Sequence, residues 1–310
     1  MRRRSATLAV LALVAGAAAA PGCSSPDPGA RDGCVGAGAA ALRTCAKGTT
    51  LSGVDVSYYQ GNVTWAQVKA SGRDFAFVRI SDGLNHPDTK FAQNWPGAKA
   101  AGLVRGSYQF FRPGQDADQQ AQMVLDALDD AGGLLPGDLP PVLDLEAADS
   151  QASSVVVSKA LAWLAKIEAA IGIKPVVYTA NFMSSVIGDN FGAYTLWVAN
   201  YTTSCPLMPS GWSDWQFWQS SDSGSVPGIA GAADTDLFNG TLAQLQALTV
   251  KAGAPVPPPA PDADAGPRGS ADPPDGESTP KDGSHGSTIG EGPAPSAPHS
   301  GRTAPTVRCP

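Results

Sequence analysis

The sequence PPVLDLEA, at positions 140–147, places two acidic residues one position apart within an apolar run. In a β-strand successive side chains point to opposite faces, so Val142, Asp144 and Glu146 share one face and the two leucines lie on the other. Burying ionised groups is costly unless they are paired or hydrogen-bonded, so a purely structural strand would not place them in a core. The two prolines, Pro140 and Pro141, fit an edge strand or the start of a strand. The run is therefore either a solvated edge strand or a strand that presents two carboxylates to a functional site.

The same strand signal recurs along residues 51–247, alternating with stretches in which apolar residues follow helical spacing. After residue 190 the helical stretches end, and three further strand-like runs follow without them. Five strand–helix units and three bare strands predict an α/β fold closed as an eight-stranded barrel. The runs are 52–57 (SGVDVS), 75–80 (FAFVRI), 103–110 (LVRGSYQF), 141–146 (PVLDLE), 174–179 (KPVVYT), 195–201 (TLWVANY), 214–219 (DWQFWQ) and 233–238 (ADTDLF), and the clearest helices are 116–131 and 153–171.

A barrel of this kind would bring the acidic residues together. Asp55 lies near the end of the first run, Asp144 and Glu146 at the end of the fourth, and Asp234 and Asp236 in the last. The first and last strands of a closed barrel are neighbours, and active sites in such barrels lie at the C-terminal ends of the strands. We therefore expect these acids to converge on one mouth of the barrel.

Both ends of the chain differ in composition from this central region. Arg2, Arg3 and Arg4 precede an apolar run at 9–20, which is the pattern of an export signal and too short for a permanent membrane span. From residue 254 onward the chain holds more than half of its 27 prolines and no aromatic residue, a composition typical of disorder. We expect a signal peptide at 1–22, a linker at 23–50, the barrel at 51–250 and a disordered Pro/Gly/Ser-rich tail at 251–310.

The cysteines fit a location outside the cytoplasm. Signal cleavage would follow the alanines at 18–20 or precede Cys23, where APGC (20–23) resembles a bacterial lipobox and would give a lipid-anchored protein. The remaining four cysteines form an even set, which in an oxidising compartment suggests two disulfides, although free thiols remain an alternative. Three pairings are open, the most local being Cys34–Cys45, among Cys34, Cys45, Cys205 and Cys309.

The residue inventory excludes several kinds of chemistry. A formal net charge of −7 argues against nucleic acid or an anionic membrane surface as the principal partner. Only His86 of the three histidines falls in the central region, so a His-based triad or a His/Cys zinc site lacks its residues. No phosphate-binding glycine motif follows a strand. Carboxylates remain, either as a calcium site or, the stronger hypothesis, as the paired acids of a glycoside hydrolase.

Aromatic residues near the predicted mouth suit a sugar substrate, because such rings offer both apolar and hydrogen-bonding contacts. Some of them, such as Trp163 at helical spacing, are expected in the core. The candidates for contact with a sugar include Tyr58, Tyr59, Tyr108, Tyr178, Trp197, Tyr201, Trp215 and Trp218.

Several segments, taken in order, resemble a known family. They are GVDVS (53–57), QG (60–61), FVRISDG (77–83), GSYQF (106–110), LDLE (143–146), WVANY (197–201), WQ (218–219) and GIAGAADTDLFNG (228–240). Together they are similar to glycoside hydrolase family 25, the Chalaropsis-type lysozymes. The resemblance spans about residues 51–247 and covers neither the first 50 residues nor the tail.

The resemblance implies a modified TIM-like (β/α)5(β)3 barrel with muramidase activity, cutting the β-1,4 bond between N-acetylmuramic acid and N-acetylglucosamine in peptidoglycan. Matched by position, Glu146 is the general acid and Asp144 its partner, while Asp55 and Asp234 complete an acidic ring. An ionised Asp144 is expected to raise the pKa of Glu146, which then delivers a proton to the leaving oxygen. Attack on the anomeric carbon is by direct displacement or by the substrate's own N-acetyl group. The implied substrate contacts are Tyr58, Asp82, Tyr108, Gln109, Tyr178, Trp197, Tyr201, Gln219 and Asp236.

Two positions depart from the family pattern. The family commonly has Glu where this chain has Asp82, and His where it has Gln109. Asp82 reaches less far and Gln109 cannot titrate, so both changes bear on rate and substrate preference. The sequence thus predicts an exported, monomeric lysozyme that acts on peptidoglycan glycan strands without a cofactor or metal. The alternative is a non-catalytic peptidoglycan-binding module of the same fold.

Overall fold

The computed structural model describes residues 42–251. The predicted signal peptide, the tail beyond residue 251, and Cys23, Cys34 and Cys309 lie outside this range. The strands are β1 (Thr50–Val56), β2 (Phe75–Asp82), β3 (His86–Pro87), β4 (Val104–Phe110), β5 (Val142–Asp144), β6 (Val176–Ala180), β7 (Thr195–Ala199), β8 (Phe217–Gly224) and β9 (Ala233–Asn239).

Helices follow strands β1, β2, β4, β5 and β6 in the chain and none lies between β7 and β9, as the sequence pattern predicts. They are α1 (Trp65–Ala70), α2 (Phe91–Ala100), α3 (Ala117–Asp130), α4 (Ser153–Ile171), α5 (Ser184–Ile187) and a final α6 (Leu242–Ala247) after β9. Asp116 begins α3 as an N-cap, because its side chain accepts a hydrogen bond from the Gln119 amide. Within residues 42–251 no helix combines the length and the apolar character needed to cross a membrane.

Eight strands close into a barrel, and one of them runs against the others. The order is β1-β9-β8-β7-β6-β5-β4-β2, with β1 pairing with β2 to close the ring and the short β3 added to β2 as a hairpin. All pairs along the ring are parallel except those of β9, which is antiparallel to β8 and to β1. The start of β9, with Asp234, therefore lies at the same end of the barrel as the C-terminal end of β1, with Asp55.

The acidic pair lies on an interior strand, so the alternative of a solvated edge is wrong. β5 pairs with β4 on one side and with β6 on the other. Val142 faces the barrel interior, whereas Leu143 and Leu145 pack in the layer between the barrel and the helices. The strand alternation predicted from the sequence is confirmed. Asp144 ends the strand, and Glu146 follows just beyond it.

Aromatic rings fill the lower part of the barrel. Trp197 stacks on Phe77 with ring centroids 4.3 Å apart, and Phe217 meets both Phe75 and Phe77 edge-on. This interior cluster includes Tyr108 and Tyr178 higher in the barrel. It fills the barrel interior below the mouth that carries the acids.

Gly53 shows how tightly this interior is packed. A Cβ placed there would lie 2.4 Å from ring carbons of Phe75, a buried side chain. We expect Gly53→Ala to lower the free energy of unfolding by about 1–3 kcal/mol, because overpacking forces neighbours out of position. Urea denaturation measures this, with Gly48→Ala as the control, since a Cβ at Gly48 meets nothing within 4 Å. Equal midpoints for the two variants would contradict the packing described.

The segment 42–49 packs against the barrel through a disulfide that the sequence did not single out. Cys45 is bonded to Cys205, 160 positions away, which excludes Cys34–Cys45, the most local of the three pairings left open by the sequence. Arg43 donates to the Cys205 carbonyl at 2.7 Å, and the Trp215 indole donates to the Thr44 carbonyl at 2.8 Å. The disulfide and these bonds fix the loop between β7 and β8 against the segment that precedes β1.

Candidate active site

A cavity of about 330 Å³ opens at the acidic end of the barrel. All four predicted catalytic carboxylates line it, together with most of the predicted substrate contacts. The predicted residues in its wall are Asp55, Asp82, Tyr108, Asp144, Glu146, Tyr178, Trp197, Tyr201, Gln219 and Asp234, and the structure adds Ser57, Tyr59, Gln60, Arg79 and Phe110.

Asp144 and Glu146 form one wall of the cavity. Asp144 is only 5% exposed, and one of its carboxylate oxygens has no hydrogen-bond partner among the described residues, whereas Glu146 is half-buried. Burial, followed by the charge of Glu146, raises the pKa of Asp144 well above its usual value. Burial, followed by the charge of Asp234, raises the pKa of Glu146. The direction for Glu146 agrees with the prediction, but its causes are burial and Asp234 rather than Asp144.

Asp55 and Asp234 face each other across the β1–β9 pair. Asp55 is buried, and burial together with the charges of Asp234 and Asp236 raises its pKa well above the usual value. Asp236 pairs with Gly53, one step deeper, and accepts a hydrogen bond from the Trp197 indole at 2.9 Å. It is 1% exposed and lies below the cavity wall, of which it is not a part.

Gln219 connects the two sides of the cavity. Its amide nitrogen donates to Asp55 at 2.7 Å, and its amide oxygen accepts from the hydroxyls of Tyr178 at 2.8 Å and Tyr201 at 3.0 Å. The residue is buried and comes from β8, the strand beside β9. Gln219 thus orients one acid and two tyrosines, which makes it a positioning residue as well as part of the wall.

A bulge in β2 brings both Arg79 and Asp82 into the cavity. The register shifts between Arg79 and Ser81, so Arg79 pairs with Tyr108 and Asp82 with Phe110. Paired residues of a parallel ladder share a face, and a bulge re-aims the side chains that follow it. Asp82 then accepts two hydrogen bonds from Arg112, at 2.5 and 2.8 Å.

Gln109 is not at the cavity, which corrects its assignment as a substrate contact. Tyr108 and Phe110 take the inward positions of β4, so strand alternation turns Gln109 outward, between the barrel and α4. There its amide donates to the Ser81 hydroxyl at 2.9 Å and accepts from the Trp163 indole at 2.7 Å. The departure from the family pattern at this position therefore lies in the packing between the barrel and α4.

Tyr58 also differs from its assignment, because Tyr59, and not Tyr58, lines the cavity. The two rings lie 4.1 Å apart, and the Arg79 guanidinium lies 4.9 Å from the centre of the Tyr58 ring.

The sequence prediction did not include Arg79, although strand alternation indicates its position. Phe75 and Phe77 point into the barrel, so Arg79, two positions further along β2, continues the same inward face.

The acids make stability depend on pH in a defined direction. Burial raises the pKa of Asp234 from its ordinary 3.8 to about 6. The folded state therefore holds the proton where the unfolded state has lost it, so the free energy of unfolding should fall as pH rises through this interval. We expect Asp234→Asn, which cannot titrate, to flatten this slope. Urea denaturation between about pH 4 and pH 7 measures it, and an unchanged slope in the variant would contradict the burial of Asp234.

The alternative considered for these acids was a calcium site made of their carboxylates. Among residues 42–251, no three His, Cys, Asp or Glu side chains are grouped so as to hold a metal ion. A second cavity, of about 310 Å³, lies beside residues 47–49 and α6, and its one acid, Asp214, is paired with Lys47. The mouth of the barrel is therefore the place where several carboxyl groups of raised pKa meet aromatic rings in an open cavity.

Known proteins are similar to this chain in sequence and in fold. The family model for glycosyl hydrolases family 25 matches residues 54–229, more than half of the chain. Lysozyme M1 of Streptomyces globisporus is 36% identical over 211 residues, covering 64% of this chain and 71% of that protein. The N,O-diacetylmuramidase of Chalaropsis sp. is 30% identical over 217 residues, covering 64% of this chain and 99% of that protein.

A solved structure agrees in fold as well as in sequence. The bacterial lysozyme from Streptomyces coelicolor superimposes with a TM-score of 0.60 at 32% identity, over 65% of this chain and 97% of that one. The expected modified TIM-like barrel is confirmed. With the matched residues, the barrel and the carboxylate-lined mouth in agreement, the chain belongs to glycosyl hydrolase family 25 and is a glycoside hydrolase.

Proposed function

We propose that this protein is an exported lysozyme that hydrolyses the β-1,4 bond between N-acetylmuramic acid and N-acetylglucosamine in peptidoglycan. The observation that carries the proposal is the wall formed by Asp144 and Glu146 in a cavity open to solvent, with Asp55 and Asp234 in the same cavity. Relatives named lysozyme and N,O-diacetylmuramidase support this substrate.

Glu146 is the general acid in this account. Its raised pKa lets it keep a proton at a pH where an exposed carboxylate is ionised. It is more accessible than Asp144 and one methylene longer, so it is better able to reach the oxygen of the scissile bond. The proton passes from Glu146 to that oxygen as the bond to the anomeric carbon breaks, and this carbon is attacked either directly by water or by the substrate's own N-acetyl group, which water then displaces.

Asp144 is the partner carboxylate. Burial and the charge of Glu146 raise its pKa, and the charges of Arg79 and Arg112 oppose this rise. A negative charge there stabilises the positive charge that develops at the anomeric carbon. Asp55 and Asp234, with Gln219 holding Asp55, shape the opposite wall.

Export accounts for the ends of the chain and for its disulfide. A substrate in the cell wall requires action outside the cytoplasm, and a disulfide such as Cys45–Cys205 persists in an oxidising compartment. The basic and apolar segments at 2–4 and 9–20 support a cleaved signal. Secretion and attachment through a lipid on Cys23 are the two forms this proposal allows, and in both the catalyst is a monomer.

The products of digestion test the proposal. The full chain is incubated with purified peptidoglycan, and the new reducing ends are converted to sugar alcohols and identified by mass. We expect new ends of N-acetylmuramic acid. New ends of N-acetylglucosamine would assign the other glycosidic bond, and binding to the wall material without any new ends would favour a binding module.

A further inference from the structure

Arg79 is the only positively charged side chain that lines the cavity among residues 42–251. The same wall holds the carboxyl groups of Asp55, Asp82, Asp144, Glu146 and Asp234. A cation placed among so many acids balances part of their charge, but its geometry indicates a second role.

The Arg79 side chain is fixed before any ligand arrives. Its Nε donates to Asp88 at 3.0 Å, and the side chain is 10% exposed. Asp88 is held in turn by the backbone amides of Tyr58 and Lys90, each at 2.9 Å. The guanidinium carbon lies 4.9 Å from the centre of the Tyr58 ring and 5.5 Å from that of Tyr59. Such preorganisation lowers the entropy lost on binding.

The end of this side chain retains binding capacity. Within residues 42–251 only Nε of Arg79 makes a hydrogen bond, so its two terminal nitrogens have no partner on the protein. A guanidinium offers its terminal donors in a planar fork that matches the two oxygens of a carboxylate. Arg112, by contrast, already uses its fork on Asp82.

We propose that Arg79 binds the 3-O-lactyl group of an N-acetylmuramic acid residue and so distinguishes muramic acid from N-acetylglucosamine. The inference rests on the proposed function, since the lactyl group is what muramic acid has and N-acetylglucosamine lacks. In a glycan strand without peptides this group is an anion, and in a strand that carries peptides it is an amide whose carbonyl oxygen remains an acceptor.

Charge complementarity favours this placement. An anionic substituent in a cavity lined by carboxyl groups is repelled everywhere except beside a cation, and Arg79 is the one cation in the described wall. Burial raises the pKa of Asp55, so the cavity carries less negative charge than its carboxyl groups suggest. This reduces the repulsion that a lactyl carboxylate meets on its way to Arg79.

The test measures binding without hydrolysis, using the full chain with Glu146→Gln as the parent. The ligands are three tetrasaccharides of equal length: alternating N-acetylglucosamine and N-acetylmuramic acid with free lactyl groups, the same chain with the lactyl groups coupled to alanine amide, and N-acetylglucosamine alone. Arg79→Met and Arg79→Lys are added to the parent separately. The matched control is Lys174→Met, which removes a cation that lies 5.4 Å from the Tyr194 ring, away from the cavity.

Arg79→Met should weaken binding of the free-lactyl ligand by about 10-fold or more, the usual loss for a charge-assisted hydrogen bond. The amide ligand should lose less, and the N-acetylglucosamine ligand should bind almost as before, which also shows that the variant is folded. Arg79→Lys keeps the charge without the fork and should fall between parent and Arg79→Met. Added salt should weaken the binding of the free-lactyl ligand to the parent and have little effect on its binding to Arg79→Met.

Two outcomes would overturn the inference. In one, both Arg79 variants weaken the binding of all three ligands by the same factor, so Arg79 contributes to binding without distinguishing the lactyl group. In the other, the preference for lactyl-bearing ligands survives Arg79→Met. If the parent binds none of the three ligands, the proposed function itself fails, and the inference with it.

Discussion

Replacing Glu146 with glutamine should lower kcat on peptidoglycan by about 10²–10⁴-fold, because the leaving oxygen loses its proton donor. Glutamine keeps the size and polarity of the side chain, so the wall beside Asp144 is preserved. The affinity for glycan should therefore change little. Initial rates of release of new reducing ends, measured across substrate concentrations, separate the two effects.

The matched control is Glu168→Gln. Glu168 is the other glutamate of the described residues, and it lies on α4 outside the cavity. The same change of charge there should leave kcat unaltered. A loss of activity shared by both variants, or a Glu146→Gln variant with full activity, would contradict the role of Glu146 as acid.

Removing the Cys45–Cys205 disulfide should lower the free energy of unfolding by about 3–5 kcal/mol. The bond closes a loop of 160 residues, and its loss gives the unfolded chain more freedom. The double variant Cys45→Ser/Cys205→Ser avoids a leftover thiol. Urea denaturation of variant and parent gives the difference.

The bond should also affect the cavity, because it fixes the loop that carries Tyr201. Arg43 donates to the carbonyl of Cys205, and Tyr201 donates to Gln219 in the wall. We expect a higher KM in the double variant with kcat little changed. A reductant should lower the stability of the parent and not that of the variant. If reductant shifts both proteins equally, or neither, the disulfide does not stabilise the fold.

Much of this architecture could be predicted because it depends on local patterns. The alternation of Val142, Asp144 and Glu146 against the two leucines follows from strand geometry alone. The count of strands and helices follows from runs of apolar residues, and the acids at the strand ends follow from the barrel. The resemblance to family 25 then supplied roles for these residues, and those roles remain part of the proposal.

Other features could not be predicted from local patterns. The reversed direction of β9 depends on which strands pair, and the Cys45–Cys205 bond joins positions that only the folded barrel brings together. Gln109 was assigned as a substrate contact because the resemblance to family 25 places a His at that position, although strand alternation alone turns it away from Tyr108 and Phe110. The bulge after Arg79 shifts the register of β2 and so brings Asp82 to the inward face of the strand.

Whether Glu146 supplies the proton to the leaving oxygen can be measured by comparing two leaving groups. The parent and Glu146→Gln are compared on peptidoglycan and on the 2,4-dinitrophenyl β-glycoside of the N-acetylglucosamine–N-acetylmuramic acid disaccharide. Dinitrophenolate departs without protonation, so this substrate does not need a general acid. Asp144→Asn serves as the comparison, since the partner carboxylate is needed for both substrates.

We expect Glu146→Gln to hydrolyse the dinitrophenyl glycoside at nearly the parent rate, while its rate on peptidoglycan falls by about 10²–10⁴-fold. Asp144→Asn should be impaired on both. Equal impairment of Glu146→Gln on the two substrates would show that Glu146 does not act as the proton donor.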